Sequence, residues 1–375
     1  MSFLDVINQY DPQQVSAAIE AKTAAEVERA LHAERLGPEE LQALLSPAAA
    51  AFLEPMAARA HRVTLQRFGN NILLYAPLYV SNLCTNGCRY CGFSAGNKVP
   101  RRTLTLDEVE REARVLHDQG FRHILLVTGE AAGKVTNDYL AACARRIRHL
   151  FSSIAIEVWP MPTEGYRQMV EAGVDGLTIY QETYDRALYA EMHPFGNKRD
   201  YEWRLLTPER GGAAGIRRIG LGFLLGLGQF RVEAFFLGLH ALHMSRHYWR
   251  SLVSVSFPRI RPADGGFAPL HPVSDRNFVQ LICALRLLLP DAGLVLSTRE
   301  SAQLRDNLLP LGITQMSAGS CTAPGGYAEK DDSGRQFAID DDRSPEEVAR
   351  VIRAHGYEAV WKDWDSAFLD KTVHG

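Results

Sequence analysis

From residue 71 onward, short apolar runs alternate with amphipathic segments, and this alternation constrains the fold more than any other feature of the sequence. Eight runs have the length and composition of buried strands: Ile72 to Val80, His123 to Thr128, Ile154 to Trp159, Gly176 to Tyr180, Ile219 to Leu225, Leu252 to Phe257, Gly293 to Thr298 and Ile313 to Ser317. Amphipathic helical patterns separate them. Eight alternations predict an α/β fold of the parallel (β/α)₈ TIM-barrel type. An open doubly wound sheet is the alternative, but no Gly-x-Gly-x-x-Gly motif opens the first unit.

The segments on either side of these runs have different patterns. Residues 1–70 predict an N-terminal helical extension, with a capping box at Thr23 and Glu26. A long helix is expected from Ala48 to Arg67. Residues 71–320 would form the barrel, and residues 321–375 a C-terminal tail. The tail carries Trp361 and Trp364, and because large aromatic side chains are usually buried, we expect it to pack back onto the barrel.

Composition excludes several classes of protein. The chain has 375 residues, 46% of them hydrophobic, and a net charge of −3, so neither a nucleic acid nor a membrane surface is expected as the main partner. No apolar run reaches the length of a membrane span, and the N-terminus lacks the pattern of a secretory signal. Six cysteines, three of them clustered, are typical of a reducing cytoplasm, where thiolates bind metal and seldom form disulfides.

The three clustered cysteines directly follow the first predicted strand. Cys84, Cys88 and Cys91 lie within eight residues. A disulfide cannot use three thiols, and a structural zinc site takes four ligands in paired groups. Thiolates in this arrangement suit an iron–sulfur cluster. A cubane cluster has four irons, so three ligands would leave one iron open to something other than protein. A metal knuckle or chance clustering is the alternative.

This cysteine loop resembles the signature of the radical S-adenosylmethionine (SAM) superfamily. The resemblance implies a [4Fe–4S] cluster on Cys84, Cys88 and Cys91, with SAM on the open iron and Tyr90 beside the adenine. The second predicted strand ends in Thr128-Gly129-Glu130. The superfamily has a Gly-Gly-Glu-like turn here that receives the SAM ammonium, and this chain departs from it at Thr128.

Two further residues match SAM contacts of the superfamily. Glu182, at the end of the fourth strand, corresponds to a ribose-binding glutamate, and Arg204 to an arginine that pairs with the SAM carboxylate. A guanidinium suits that bidentate role. Taken alone, Glu182 could equally cap a helix and Arg204 could be a surface charge.

Five stretches are similar to the 2-iminoacetate synthase family, the tyrosine lyases of bacterial thiamine synthesis. They are Pro77 to Tyr79, Tyr180 to Thr183, Ser256 to Arg259, Ser297 to Glu300 and Trp361 to Trp364, and the resemblance runs from about Thr23 to Trp364. It implies that Tyr79, Arg299 and Ser317 contact the amino-acid substrate. By strand alternation Tyr79 would face the barrel interior, although a core tyrosine is the alternative.

The resemblance therefore implies a radical SAM lyase that cleaves the Cα–Cβ bond of L-tyrosine. The products would be 2-iminoacetate and 4-cresol, with SAM cleaved to methionine and 5′-deoxyadenosine. Its implied partners are thiazole synthase and a low-potential electron donor of the flavodoxin or ferredoxin type. One alternative is another radical SAM reaction on an aromatic amino acid, as in deazaflavin-chromophore synthesis. The other is a non-catalytic iron–sulfur carrier. A carrier should supply a fourth cysteine, yet Cys143, Cys283 and Cys321 are isolated in sequence and are expected to be buried thiols.

Overall fold

The computed structural model describes residues 1–365, and its centre is a closed barrel of eight parallel strands. The strands are β1 Asn71–Ser81, β2 His123–Thr128, β3 Ser153–Glu157, β4 Gly176–Glu182, β5 Arg218–Phe223, β6 Leu252–Ser256, β7 Gly293–Leu296 and β8 Gln315–Ser317. Neighbouring strands pair in sequence order, and β1 pairs with both β2 and β8, which closes the barrel. The predicted (β/α)₈ fold is confirmed. Each predicted strand is present, with ends displaced by at most a few residues.

Helices cover the outside of the barrel between successive strands. They are α6 Leu106–Asp118, α7 Asn137–Ile147, α8 Thr163–Glu171, α9 Arg186–Met192, α10 Tyr201–Leu205, α11 Thr207–Ala213, α12 Phe230–His247, α13 Asp275–Leu288 and α14 Ala302–Leu308. The amphipathic pattern predicts a single helix from Tyr201 to Ala214, and this prediction is wrong. The helix is broken at Leu206, because Pro208 starts a new helix and suits only a first turn. The sequence also gave no prediction of α9, whose first turn is capped by Asp185.

Five helices precede the barrel: α1 Phe3–Ile7, α2 Pro12–Glu20, α3 Ala24–His32, α4 Pro38–Leu45 and α5 Leu53–Phe68. The capping box of Thr23 and Glu26 is present at α3. The helix expected from Ala48 to Arg67 begins later, since residues Pro47–Phe52 form a 3₁₀ helix. Pro55 lies in the first turn of α5, where proline is tolerated. Helices α4 and α5 pack against α12 and α13 of the barrel.

After β8 the chain returns first to one end of the barrel and then to the other. Residues 322–341 form a loop over the carboxyl ends of the strands, held by hydrogen bonds such as Gly92 N–H to Gln336 O at 3.0 Å. Helix α15, Pro345–Ala354, and a short strand β9, Glu358–Val360, follow, and β9 pairs with the start of β1. The Trp361 ring packs on Phe121 with centroids 5.2 Å apart. Residues 366–375 of the predicted tail lie outside the described residues. Within residues 1–365, no helix is long and apolar enough to cross a membrane.

Candidate active site

The residues singled out from the sequence come together at the carboxyl ends of the strands, the end of a parallel barrel where active sites lie. All of them except Tyr79 and Ser317 line one cavity: Cys84, Cys88, Tyr90, Cys91, Thr128, Gly129, Glu130, Glu182, Arg204 and Arg299. They come from β1, β2, β4 and β7 and from the segments that follow these strands. The barrel therefore brings together residues that are more than 200 positions apart in sequence.

The cysteine loop is fixed by backbone hydrogen bonds to three other segments. Thr85 N–H donates to Glu130 O at 2.8 Å, Gly87 N–H to Phe195 O at 3.1 Å, and Gly92 N–H to Gln336 O at 3.0 Å. The thiols of Cys84, Cys88 and Cys91 are all free. The loop is therefore held in shape by the protein around it, with three thiols turned toward one cavity.

The chemistry of these thiols fits an iron–sulfur cluster better than a single ion. In residues 1–365, no group of three or more His, Cys, Asp or Glu side chains converges on a position for one metal ion. A cubane cluster makes no such demand, because each thiolate binds a different iron. Burial raises the pKa of Cys88 to about 12 and also raises that of Cys91. These thiols need nearby positive charge to become thiolates, and bound iron would supply it.

The turn after β2 supports the cysteine loop from below. Gly129 lies so close to the loop that a Cβ there would be 2.4 Å from Leu83 O. The carboxylate of Glu130 accepts hydrogen bonds from the side-chain amides of Asn86, at 2.8 Å, and Asn197, at 2.9 Å. Glu130 therefore links the cysteine loop to the segment after α9. Its backbone, like that of Thr128 and Gly129, remains at the cavity wall.

Tyr90 lies between the second and third clustered cysteines, and its hydroxyl is 2.7 Å from Nε2 of His193. Burial, followed by the charge of Lys198, lowers the pKa of His193 to about 3, so its ring is neutral near pH 7. The Lys198 ammonium lies 5.6 Å from the Tyr90 ring centroid. The ring that the resemblance places beside adenine is thus fixed by a buried, uncharged partner.

Glu182 ends β4 in a strained backbone conformation with φ of 70°, which is unusual for a residue other than glycine. Its carboxylate lies 2.6 Å from Lys198 Nζ and 3.5 Å from an Arg204 nitrogen. Burial alone would raise the pKa of Glu182, but these two cations outweigh it and the pKa lies below its usual value. Arg204 also donates from Nε to Tyr180 O at 2.6 Å. Glu182 is therefore an ionised, buried acceptor.

Arg299 lies on the opposite side of the cavity, just after β7. Its guanidinium stacks on Phe337, 3.4 Å from the ring centroid, and makes only a long 3.5 Å contact to Arg259 O. No carboxylate pairs with it among the described residues. Such a guanidinium is free to bind a carboxylate that enters the cavity.

Tyr79 and Ser317 are buried next to this cavity without lining it. The Tyr79 hydroxyl donates to Gln336 Oε1 at 2.7 Å, and Ser317 Oγ accepts from Thr298 N–H at 3.1 Å. Both therefore already have protein partners. Tyr79 therefore contacts Gln336, and Ser317 contacts the segment that follows β7, but neither residue lines the cavity.

Among the cavity residues that the sequence did not single out are two charged groups, Glu157 and Lys198, and two residues of the loop 322–341, Gln336 and Phe337. Glu157 carried a signal, because it is a charged residue inside the run predicted as the third strand. Gln336 and Phe337 carried none, since they lie in an irregular loop. Gln336 also places its amide 3.7 Å from the Cys91 sulfur.

A second cavity occupies the amino-terminal half of the barrel. TIM-barrel interiors are normally filled by branched side chains, but here Gly176, Gly220 and Gly293 line the space. Its polar lining includes His123 and Arg218. All three clustered cysteines lie at the other end, so the carboxyl-end cavity is the candidate active site.

Comparison with known proteins identifies this arrangement. A profile of the Radical SAM superfamily matches residues 78–234, and one for the Biotin and Thiamin Synthesis associated domain matches residues 256–358. The chain is 49% identical over 366 residues to 2-iminoacetate synthase of Salmonella typhimurium, with 97% of each chain covered. The chain belongs to the 2-iminoacetate synthase family. The Escherichia coli 2-iminoacetate synthase is 48% identical over 366 residues, again with 97% of each chain covered.

The fold of this 2-iminoacetate synthase family member is also similar to that of a solved structure. HydG, a maturase of the [FeFe]-hydrogenase, superposes with a TM-score of 0.88 at 32% identity, covering 95% of this chain and 82% of that one. The predicted cofactors are confirmed at the level of the family: the chain is a radical SAM lyase that uses a [4Fe–4S] cluster, SAM and a reductant. The cluster fits the three free thiols described above.

Proposed function

We propose that this chain cleaves the Cα–Cβ bond of L-tyrosine to 2-iminoacetate and 4-cresol, for the thiazole moiety of thiamine. SAM would be consumed to methionine and 5′-deoxyadenosine. One observation carries the proposal: the three free thiols and the unpaired Arg299 guanidinium line one cavity. This arrangement supports a site for a carboxylate-bearing substrate next to a site for a cluster. The names of the two curated relatives support the choice of product.

We assign residues to the cofactors from their positions around the carboxyl-end cavity. We assign Cys84, Cys88 and Cys91 to the cluster. We assign Tyr90, Thr128, Gly129, Glu130, Glu182 and Arg204 to SAM. When bound, the cluster and SAM supply one-electron radical chemistry that side chains alone lack. Glu182 would accept hydrogen bonds from ribose hydroxyls, for which its ionised carboxylate is suited.

The substrate half of the site is assigned to Arg299, Tyr79 and Ser317. Arg299 would bind the tyrosine carboxylate and so orient the Cα–Cβ bond. Tyr79 and Ser317 would act by positioning Gln336 and the strand end, because each bonds to one of these. The loop of residues 322–341 places Gln336 and Phe337 over the cavity, where they would exclude water.

Partners and organisation complete the proposal. The product 2-iminoacetate would pass to thiazole synthase in the cytoplasm, and the reductant would be a protein of the flavodoxin or ferredoxin type. We propose residues 1–70 as a helical extension, 71–320 as the radical SAM barrel and 321–375 as a tail that packs on the barrel. The contact of Trp361 with Phe121 supports the last assignment.

The test is an anaerobic assay in which 4-cresol and 5′-deoxyadenosine are quantified side by side. The wild type should form both, and only when tyrosine and a reductant are present. Arg299→Lys keeps the charge but loses the planar donor pair. It should retain the cluster and SAM binding and lose tyrosine turnover by roughly 10²-fold, the scale of a ~1 Å misplacement. Residual SAM cleavage should be uncoupled from 4-cresol.

Arg335→Lys is the matched control, because Arg335 is an exposed arginine of the loop 322–341 and, within residues 1–365, its ion pair is with Asp332. It should behave as the wild type. SAM cleavage with tyrosine but without 4-cresol in the wild type would contradict the lyase activity. Wild-type coupling in Arg299→Lys would remove Arg299 from the substrate site.

A further inference from the structure

Glu157 is the last residue of β3, and its side chain lines the same cavity as Glu182 and Arg299. In the described part of the chain its carboxyl group makes neither a hydrogen bond nor an ion pair with another residue. A half-buried carboxyl group without a partner is costly unless a ligand completes it. No part of the proposed cluster or SAM assignment uses this group.

The charges of the cavity divide into a paired set and an unpaired set. Glu182 is neutralised by Lys198 and Arg204. Glu130 is held by the side-chain amides of Asn86 and Asn197. Glu157 and Arg299 remain, one acidic and one basic, and among residues 1–365 neither forms an ion pair with the other or with another side chain. The substrate half therefore has the charge pattern complementary to an α-amino acid zwitterion, with Arg299 for the carboxylate and Glu157 for the ammonium.

The reaction itself requires a proton acceptor at the amino group. The ammonium nitrogen of tyrosine carries three hydrogens, whereas the nitrogen of 2-iminoacetate carries one. One of the two hydrogens lost would leave as a hydrogen atom, since SAM, when bound, would supply the radical chemistry and end as 5′-deoxyadenosine. The other must leave as a proton, because loss of a proton converts the positively charged ammonium group into a neutral amine.

We propose that Glu157 binds the ammonium group of the substrate and accepts one proton from it, a role that rests on the proposed function. An N–H bond breaks, an O–H bond forms on the Glu157 carboxylate, and no electron changes hands. Formation of 4-cresol from the benzylic fragment later consumes one electron, from the same reductant, and one proton. Glu157 therefore ends the turnover as a carboxylate.

The electrostatics of the cavity suit this exchange. Burial, followed by the carboxylate of Glu182, raises the pKa of Glu157 to about 7. A carboxylate of that basicity accepts a proton from an ammonium group more readily than an exposed glutamate does. The charged and titratable groups that face Glu157 are Glu182, Arg299, Lys198, Arg204, Tyr75, Tyr79 and Tyr180. The cations among them lower this pKa, and the tyrosines remain uncharged near pH 7.

Binding to the cluster-loaded enzyme without reductant tests the ammonium contact separately from turnover. Two ligands are compared: L-tyrosine and 3-(4-hydroxyphenyl)propanoate, which lacks only the amino group. Glu157→Gln should weaken tyrosine binding roughly 10–100-fold, the range for a lost charge-assisted hydrogen bond. It should leave the dissociation constants of the amino-free ligand and of SAM unchanged. Glu182→Gln is the matched control and should weaken SAM instead.

Turnover then tests the proton transfer. Wild-type kcat/KM should fall as pH drops below about 7, because Glu157 becomes protonated and can no longer accept. Glu157→Gln should lose this acid limb, and Glu157→Asp should recover part of the activity. If Glu157→Gln did not load the cluster, a shifted acid limb in Glu157→Asp would support the role, and an unshifted limb would overturn it.

Three other results would overturn the inference. In the first, Glu157→Gln loses affinity for L-tyrosine and for the amino-free ligand equally. In the second, Glu157→Gln binds SAM more weakly than the wild type. In the third, Glu157→Gln binds L-tyrosine with wild-type affinity. Failure of the proposed function has a different signature. It would appear as absence of 4-cresol in the wild type, while the comparison of an aromatic amino acid with its amino-free counterpart would still test Glu157.

Discussion

Replacing Gly129 with alanine should displace the cysteine loop while leaving the barrel folded. A Cβ at this position would lie 2.4 Å from Leu83 O and 2.9 Å from Cys84 Cβ. Neither neighbour is the end of a flexible side chain, since one is a backbone carbonyl and the other belongs to a proposed cluster ligand. The added methyl group therefore has to push the loop away from β2, and Cys84 moves with it.

The cost can be worked from the contacts that hold the two segments together. Gly129 N–H donates to Ser81 O at 3.0 Å, and Thr85 N–H donates to Glu130 O at 2.8 Å, one on each side of the clash. Overpacking costs about 1–3 kcal/mol, and each hydrogen bond that is lost adds about 0.5–1.5 kcal/mol. The sum, roughly 2–6 kcal/mol, is less than the total stability of most domains. The barrel should survive, and the loop should not hold its shape.

The assay is anaerobic reconstitution followed by iron counting and circular dichroism. Wild type should bind about four irons per chain, whereas Gly129→Ala should lose most of the iron and keep its secondary structure. Gly96→Ala is the control, because Gly96 lies just beyond the cysteines and a Cβ there has nothing within 4 Å. Full iron content in Gly129→Ala with an unchanged melting temperature would refute the argument from the close approach.

Three further predictions concern the cluster, the core and pH. Cys84→Ala should abolish the cluster while Cys321→Ala leaves the iron content and absorption spectrum unchanged; the reverse pattern would contradict the ligand assignment. Asp341→Ala should lower the free energy of unfolding by roughly 3–5 kcal/mol in urea, because it leaves the buried Arg305 guanidinium less compensated. Burial raises the pKa of Glu233 to about 7, so its stabilising contribution is present at low pH and is lost as pH rises toward 7. Glu233→Gln should therefore gain stability relative to wild type between pH 5 and pH 8, by roughly 2–3 kcal/mol, and a constant difference across that range would disprove this.

The barrel was predictable because its signal is periodic and local. Each strand is an apolar run bounded by turn residues, and eight such runs leave few possible topologies. The errors in helix prediction occurred where a single residue determines where a helix begins or ends. Pro208 divides the helix expected from Tyr201 to Ala214, and the 3₁₀ turn at Pro47–Phe52 delays α5. Strand β9 was missed because it is short and follows α15, outside the alternation of strands and helices that predicts the barrel.

The proposed cofactor residues were accessible to sequence reasoning for a different reason. The thiols of Cys84, Cys88 and Cys91 lie within one loop, so a cluster site can be predicted from the sequence alone, without knowledge of the fold. Gln336 and Phe337 reach the cavity from an irregular loop, and their partners, Tyr79 and Arg299, are distant in sequence. No periodicity or composition marks such residues. Only the three-dimensional path of residues 322–341 brings them over the site.

For Glu182, the sequence identifies the residue and the three-dimensional structure explains its conformation. The resemblance to the superfamily singled out this residue at the end of a strand, but its conformation, with φ of 70°, was not predicted. That strain persists because the next two residues are held from elsewhere: Glu233 accepts a hydrogen bond from the Thr183 hydroxyl and another, at 2.7 Å, from Tyr184 N–H. Glu233 lies in the first turn of α12, about fifty residues later, and has no local link to β4. Strain at a site is maintained by distant contacts that over-determine it, so a sequence pattern can locate such a residue without showing how its carboxylate is aimed.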